Sequence, residues 1–357
     1  MKQGRSLTEL AAELERQNQQ ARDFRAPAKT VEMIVKSGED VINDHKQVAL
    51  QVGQFGSFGI LEHAHDQLGS HLGIPAKYYD RCRHEDPFLL AHNVNTWLRT
   101  NNDQRLVRTM DGNMRAWLSN RYRPIDNFLI AESILPILIA KGSGMRVESC
   151  EVTEQRMYIK VVNERITANV KKGQEVQSGI VISNSEVGCS TFKVEPLILI
   201  LACINGAIMN KAGLKRYHIG RQIDELENAV EVFTDETRQA DDKALMLKMR
   251  DVVTSAFDEV VFREFAKTLT ITTENRIERD VIEAIDTAIE VLSVNAKHKS
   301  GILTEMVKGG DLSQWGLSNA ITAYAQKVES YEEATELERV GGEVLTLTKK
   351  EWLPIAA

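Results

Sequence analysis

The spacing of apolar residues changes period at about residue 222, and that change limits what the chain can fold into. Before it, short apolar or alternating runs such as VEMIV (31–35), VALQV (48–52) and FGI (58–60) are separated by Gly, Asn and Asp. This is the punctuation of strands and turns. After it, ELENAVEVF, DKALMLKMRDVVTSAFDEVVFREFAKTL, RDVIEAIDTAIEVLSVN, LSQWGLSNAITAYAQKV and YEEATELERV repeat apolar residues every third or fourth position, with charge opposite and no proline before Pro354. The spacing predicts about five helices. The expected fold class is α+β, a hairpin-rich mixed N-terminal part followed by a largely helical C-terminal part. Three regions are expected: an N-terminal helix or arm (1–25), a mixed core (26–222) and an acidic helical region (223–357).

Local signals fill in this frame. Ser6 with Glu9 three residues later is a capping box that opens a helix over 7–22, which RAPAK (25–29) then breaks. Residues 61–82 read as two helical pieces, the first closed by Gly73 and the second opened by Pro75; another helix covers 86–98. Asp111-Gly112 inside 105–119 is the strongest hairpin signal in the sequence. A helix over 127–141 should kink at Pro136. A second hairpin pairs 146–152 with 155–162, and a strand covers 178–185. The unbroken apolar run 195–209, with a proline near its start, predicts a buried helix.

Several classes of function find no support. No run approaches the roughly 18 apolar residues of a membrane span, and the amphipathic N-terminus lacks a signal-peptide pattern. A cytoplasmic location in a bacterial host cell is expected. Cys82, Cys150, Cys189 and Cys203 are isolated, so neither a disulfide framework nor a zinc site is indicated, and mostly buried thiols are expected. Neither phosphate-cradling glycine motif occurs, and no cofactor is expected. Glu62, His63, His65, Asp66 and His71 do not carry helical ligand spacing and read as surface residues of an amphipathic helix, without a metal. Ser183, Ser185 and Cys189 in ISNSEVGCS lack a nucleophile-elbow pattern and read as turn chemistry. Carboxylates of 222–357 fall at ordinary solvent-facing helix positions. An enzymatic site would require Asn184, Ser185, Asn205 and His218 to converge, and no catalytic residue is assigned.

The charge is uneven. Residues 1–220 hold 28 Lys/Arg against 24 Asp/Glu, whereas 221–357 hold 16 against 27. Six arginines and no lysine lie between Arg99 and Arg123, interleaved with Trp97, Trp117 and Tyr122. A second basic stretch contains Lys211, Lys215, Arg216, His218 and Arg221. Guanidinium groups match phosphate geometry, and a positive groove with aromatics suits a single strand. The nucleic-acid contacts expected on this basis are Arg105, Arg115, Arg121, Arg123, Lys215, Arg216 and His218, with Trp117 and Tyr122 stacking on bases. Strand alternation places Arg108 on the face opposite Arg105, so the six arginines do not all line one groove.

The segments LGIPAKYYDR (72–81), SNRYRPIDN (119–127), IVISNSEVGCS (180–190), LACINGA (201–207) and KRYHIG (215–220) together resemble the motif series of the domain of unknown function 932 family, over roughly residues 60–222. That group is phage- and plasmid-associated, and the resemblance implies a role in DNA metabolism or recombination without catalytic residues to carry across. Residues and resemblance together give a non-enzymatic protein that binds, and anneals, single-stranded DNA. The alternative is a structural or regulatory protein-interaction factor, for example anti-defence, assembling through its acidic helices. A homo-oligomer, a ring among the possibilities, is expected from the stripes of 275–295 and 313–342 and from Leu345, Leu347, Trp352 and Leu353.

Overall fold

The computed structural model describes residues 1–36, 48–209, 217–219 and 235–357, which form an α+β protein. Helix α1 (Leu7–Gln20) opens on the capping box, with Ser6 and Glu9 bonding each other's backbone N–H. The first sheet follows: β1 (Arg22–Pro27), β2 (Val31–Val35), β3 (Val48–Val52), β4 (Ser57–Ile60), β5 (Gln104–Met110) and β6 (Asn113–Ser119). Its order is β1-β5-β6-β4-β3-β2, antiparallel except for the β4–β6 pair. Strand β1 replaces the break expected at RAPAK. It is an edge strand that ends on Pro27, where the missing N–H costs no ladder bond.

The β5–β6 turn forms as the sequence indicates. Asp111 (φ 52°) and Gly112 (φ 74°) both take the left-handed conformation that a two-residue type I′ turn requires. Just beyond the turn the register shifts: Arg108 faces Ala116 and Thr109 faces Met114, which leaves Arg115 as the extra residue of a bulge. Helices α2 (Glu62–His71), α3 (Ala76–Glu85) and α4 (Pro87–Thr100) contribute Leu68, Tyr79, Val94 and Leu98 to a core with Val107, Met114 and Trp117. Gly73 (φ 67°) ends the first of these helices and Asp86 caps the third through the Leu89 N–H.

Helix α5 (Asn127–Leu138), with Pro136 in its last turn, leads to the second sheet: β7 (Met145–Val152), β8 (Met157–Lys171), β9 (Gln174–Asn184), β10 (Phe192–Ile200), β11 (Asn205–Ile208) and β12 (Tyr217–Ile219). All its pairs are antiparallel, and β11 and β12 pair with different stretches of β10. The helix expected over 195–209 is therefore wrong; the segment forms β10, a turn and β11. Its run is unbroken because both faces are covered. Ile198 and Ile200 pack on Phe262 and Leu269, whereas Leu197 and Leu199 pack toward Met1 and Tyr331.

Seven helices follow among the described residues: α6 (Asp235–Ser255), α7 (Glu259–Glu274), α8 (Val281–Val291), α9 (Lys299–Gly309), α10 (Gln314–Ala325), α11 (Tyr331–Thr346) and α12 (Lys349–Ala356). Of the five expected helices, the one over ELENAVEVF lies outside the described residues; the other four become seven because Asp258 caps a new helix within the longest stretch, α9 forms over a segment not expected to be helical and a short helix is added at the end. Leu345 and Trp352 are 4% exposed and belong to the internal core, with Leu347 packed against it; of the four residues offered for self-association, only Leu353 is outward, at 58%. No helix among the described residues is long and apolar enough to cross a membrane.

Candidate nucleic-acid interface

The segment that joins the two sheets uses its polar side chains internally. Asn184, the last residue of β9, donates to Ile125 O (2.8 Å) and Asn127 Oδ1 (2.9 Å). Ser185 Oγ accepts from the Cys189 N–H at 3.0 Å and the Val187 N–H at 3.3 Å, so the turn chemistry expected of ISNSEVGCS is present. Glu186 pairs with Arg115 Nη1 at 2.6 Å and accepts from the Asn127 N–H, the first of α5, at 2.6 Å. Val187 packs with Leu106, Ala116 and Leu118 of the first sheet. Gly188 takes φ +86°, and a Cβ there would lie 2.8 Å from Leu118 Cδ2. The Tyr122 hydroxyl closes the joint by donating to Ser185 O at 3.3 Å.

The arginines divide between this joint and the surface. Arg108 is 2% exposed and fully engaged: Nε on Asp23 (3.0 Å), Nη2 on Asp126 (2.8 Å) and Nη1 on Glu186 O (2.9 Å). Burial opposes its charge, but Asp126 and Asp23 more than offset this and hold it protonated more firmly than an ordinary arginine. Arg115 and Trp117 require correction: both are buried, so neither presents itself to phosphate or base. The Trp117 indole N–H donates to His71 Nδ1 at 3.1 Å instead. Arg105 lies 5.6 Å above the Trp117 ring and donates to Trp117 O; burial lowers its pKa. Arg123 and Tyr122 are half-buried and Arg121 is exposed. Lys215 and Arg216 lie outside the described residues; His218 sits in β12, its backbone paired with Lys193.

What remains outward is a cationic end of the first sheet. The register Ala26–Arg105–Ser119 aligns the end of β1, the start of β5 and the end of β6. Arg25 donates to Asn120 O (2.8 Å), and Lys29 donates to Asn102 Oδ1 (2.9 Å). Together with Arg105 and Arg121 they make four cations from separate segments. Among the described residues none of the four has a carboxylate at ion-pair distance. Trp97, 54% exposed in the last turn of α4, is followed by Asn101, whose carbonyl accepts the Lys29 N–H. No local pattern in the sequence relates Arg25, Lys29 and Trp97 to Arg105 and Arg121, because that relation depends on strand pairing.

On the same face of β1, a cavity of about 290 Å³ opens between α1 and the joint, its walls including Asp23, Arg108, Arg115, Asp126, Phe128 and Glu186. The histidines of α2 also differ from the surface reading. His65 is 2% exposed and bonds Tyr79 Oη at 2.8 Å, and burial, helped by Arg83, lowers its pKa to about 3. His63 lies 3.3 Å from Cys189 Sγ, whose thiol burial pushes up. Among the described residues no group of three or more His, Cys, Asp or Glu side chains is placed to hold a metal ion. Asn184 and Asn205 do not converge. They sit at opposite ends of the β9–β10 pair, and Asn205 instead bonds Asn319 O and Gln326 on the helical side.

The family model described as Domain of unknown function (DUF932) matches residues 116–345, from within β6 to near the end of α11. The chain belongs to the DUF932 family. The DUF932 match takes in the joint, Arg121, Asp126 and most of the helical part, which extends well past the 60–222 span of the motif resemblance. Arg25, Lys29 and Arg105 precede it, so most of the cationic end lies outside the DUF932 region. No curated protein and no solved structure matches the chain.

Proposed function

We propose that this DUF932 protein is a non-enzymatic single-stranded DNA-binding protein that serves annealing in the recombination or DNA metabolism of a phage or plasmid. The observation that carries the reading is the cationic end of the first sheet, where Arg25 lies on one face and Arg105 on the other, with Lys29 and Arg121 just beyond the strand ends, and among the described residues none of the four has a carboxylate at ion-pair distance. Cations that follow a backbone, beside an exposed aromatic such as Trp97, are what sequence-tolerant binding of a single strand uses. Arg25 and Arg121 meet phosphates, Arg105 remains stacked on Trp117 at the edge, and the strand passes toward Trp97. Annealing needs no bound nucleotide, and the acidic excess of the helical part keeps duplex DNA from the remaining surface.

The test is binding of fluorescent single-stranded and duplex oligonucleotides across a salt series, with the mass of the protein measured in the same samples. A preference for single strands is expected, with affinity falling steeply as salt rises. Arg25→Ala/Arg121→Ala removes two phosphate contacts and should reduce the slope of log affinity against log salt by about 1.4. An unchanged affinity and slope in that variant overturns the assignment of the surface. No binding to either form at about 50 mM salt overturns the DNA reading and turns the search toward protein partners.

A further inference from the structure

We infer that the cavity beside Arg115 receives one unstacked base of the bound strand, and that a guanine edge is the chemistry it fits; the inference builds on the single-strand reading above. At about 290 Å³ the cavity lies near the lower end of small-ligand pockets, suited to a flat ring system of nucleobase size. Its wall presents acceptors that the protein leaves unused. Arg115, 5% exposed, bonds Glu186 through Nη1. Asp23 and Asp126 each give Oδ1 to Arg108, and among the described residues neither second carboxylate oxygen is taken.

The charge balance narrows the ligand. Two guanidinium groups, Arg108 and Arg115, face three carboxylates, Asp23, Asp126 and Glu186, while the Arg22 guanidinium donates to Gln19 O and Ala21 O. A free phosphate would meet the carboxylates, and a divalent cation would meet the guanidinium groups. A neutral ring carrying adjacent donors on one edge and acceptors on another satisfies both sets. Guanine is the base with that arrangement: N1–H and the N2 amino group donate, and O6 and N7 accept. The carboxylate oxygens take the donors, with Phe128 providing an aromatic wall. The location agrees with the surface reading. Arg25 is two residues beyond Asp23 on the same face of β1, about 7 Å along the strand.

The experiment compares an all-dT strand with the same strand carrying one central dG, dA or dC, and separately titrates free dGMP by calorimetry. The dG strand should bind about tenfold tighter than the others, the range of one good bidentate contact. Asn18→Trp, which fills the cavity from the exposed side of α1, should abolish the preference, with the all-dT strand as internal reference. Asp23→Asn, which exchanges an acceptor oxygen for an amide, should reduce it. Salt-dependent binding with equal affinities for dG, dA, dC and dT overturns the pocket and leaves the surface reading standing. If no strand binds while dGMP does, and Asn18→Trp blocks it, the pocket stands and the surface reading falls. If neither strand nor dGMP binds, both fall.

Discussion

Lys160 on β8 and Glu338 on α11 are both fully buried, with Nζ and Oε2 2.6 Å apart and the ammonium 4.5 Å from the centre of the Tyr331 ring. Burial lowers the lysine's pKa and Glu338 opposes that shift, so the pair survives because each charge has the other. Glu338→Ala should therefore cost about 3–5 kcal/mol in urea unfolding, whereas Lys160→Met/Glu338→Leu should restore most of it. This carboxylate is not at the solvent-facing position expected of the helical region, and its partner 178 residues away leaves no local trace. His65 gives a pH prediction. Its folded pKa, about 3, lies below the ordinary 6.5, so between these values the unfolded chain binds the extra proton. The contribution is complete above pH 6.5 and is lost as pH falls toward 3, on the order of 4–5 kcal/mol in all. Unfolding midpoints of the native chain should lose about 2 kcal/mol between pH 7 and 5 that His65→Gln, which retains a polar group facing Tyr79, does not lose.

At the level of elements, two glycines set how closely parts approach. A Cβ on Gly342 of α11 would lie 1.9 Å from Ile208 O on β11, so this helix rests on the sheet backbone itself. Gly342→Ala should cost about 3 kcal/mol in thermal or urea unfolding, since a backbone oxygen cannot rotate aside. Gly188→Ala combines a left-handed φ with the Leu118 contact and should cost about 1–2 kcal/mol. The sequence was most legible where the deciding forces are local. The capping box at Ser6, the Asp111-Gly112 turn and the alternating runs of β2 and β3 appear with nearly the expected limits. It was least legible where tertiary cover overrides pattern. Strand β10 lost its alternation because both its faces are buried, and Arg115 changed faces because a bulge follows the hairpin. Arg121 stayed outward as expected, whereas Arg108, already placed on the opposite face by alternation, found its carboxylates on β1 and ahead of α5.

Across the whole molecule, the two sheets communicate through a small set of ionic ties. Arg108 alone reaches β1, the residue preceding α5 and the joint after β9. Arg108→Met should leave Asp23 and Asp126 without their shared cation and loosen the first sheet preferentially. Hydrogen exchange should then show amides of β5 and β6 opening at a lower free energy, by about 2 kcal/mol, with those of β8 and β9 little changed. Equal loss in both sheets would contradict that view of the joint. The same joint bears on descent as well as on stability. Asn184, Ser185 and Glu186 each bind backbone groups that any chain of this shape must satisfy, and Gly188 occupies a conformation few residues tolerate. Selection for foldedness alone would preserve this stretch through a change of occupation. A descendant can exchange Arg25, Lys29 and Arg121 for another surface chemistry and carry the segment unaltered, so kinship traced through it transmits an architecture and leaves the trade at the surface free to diverge.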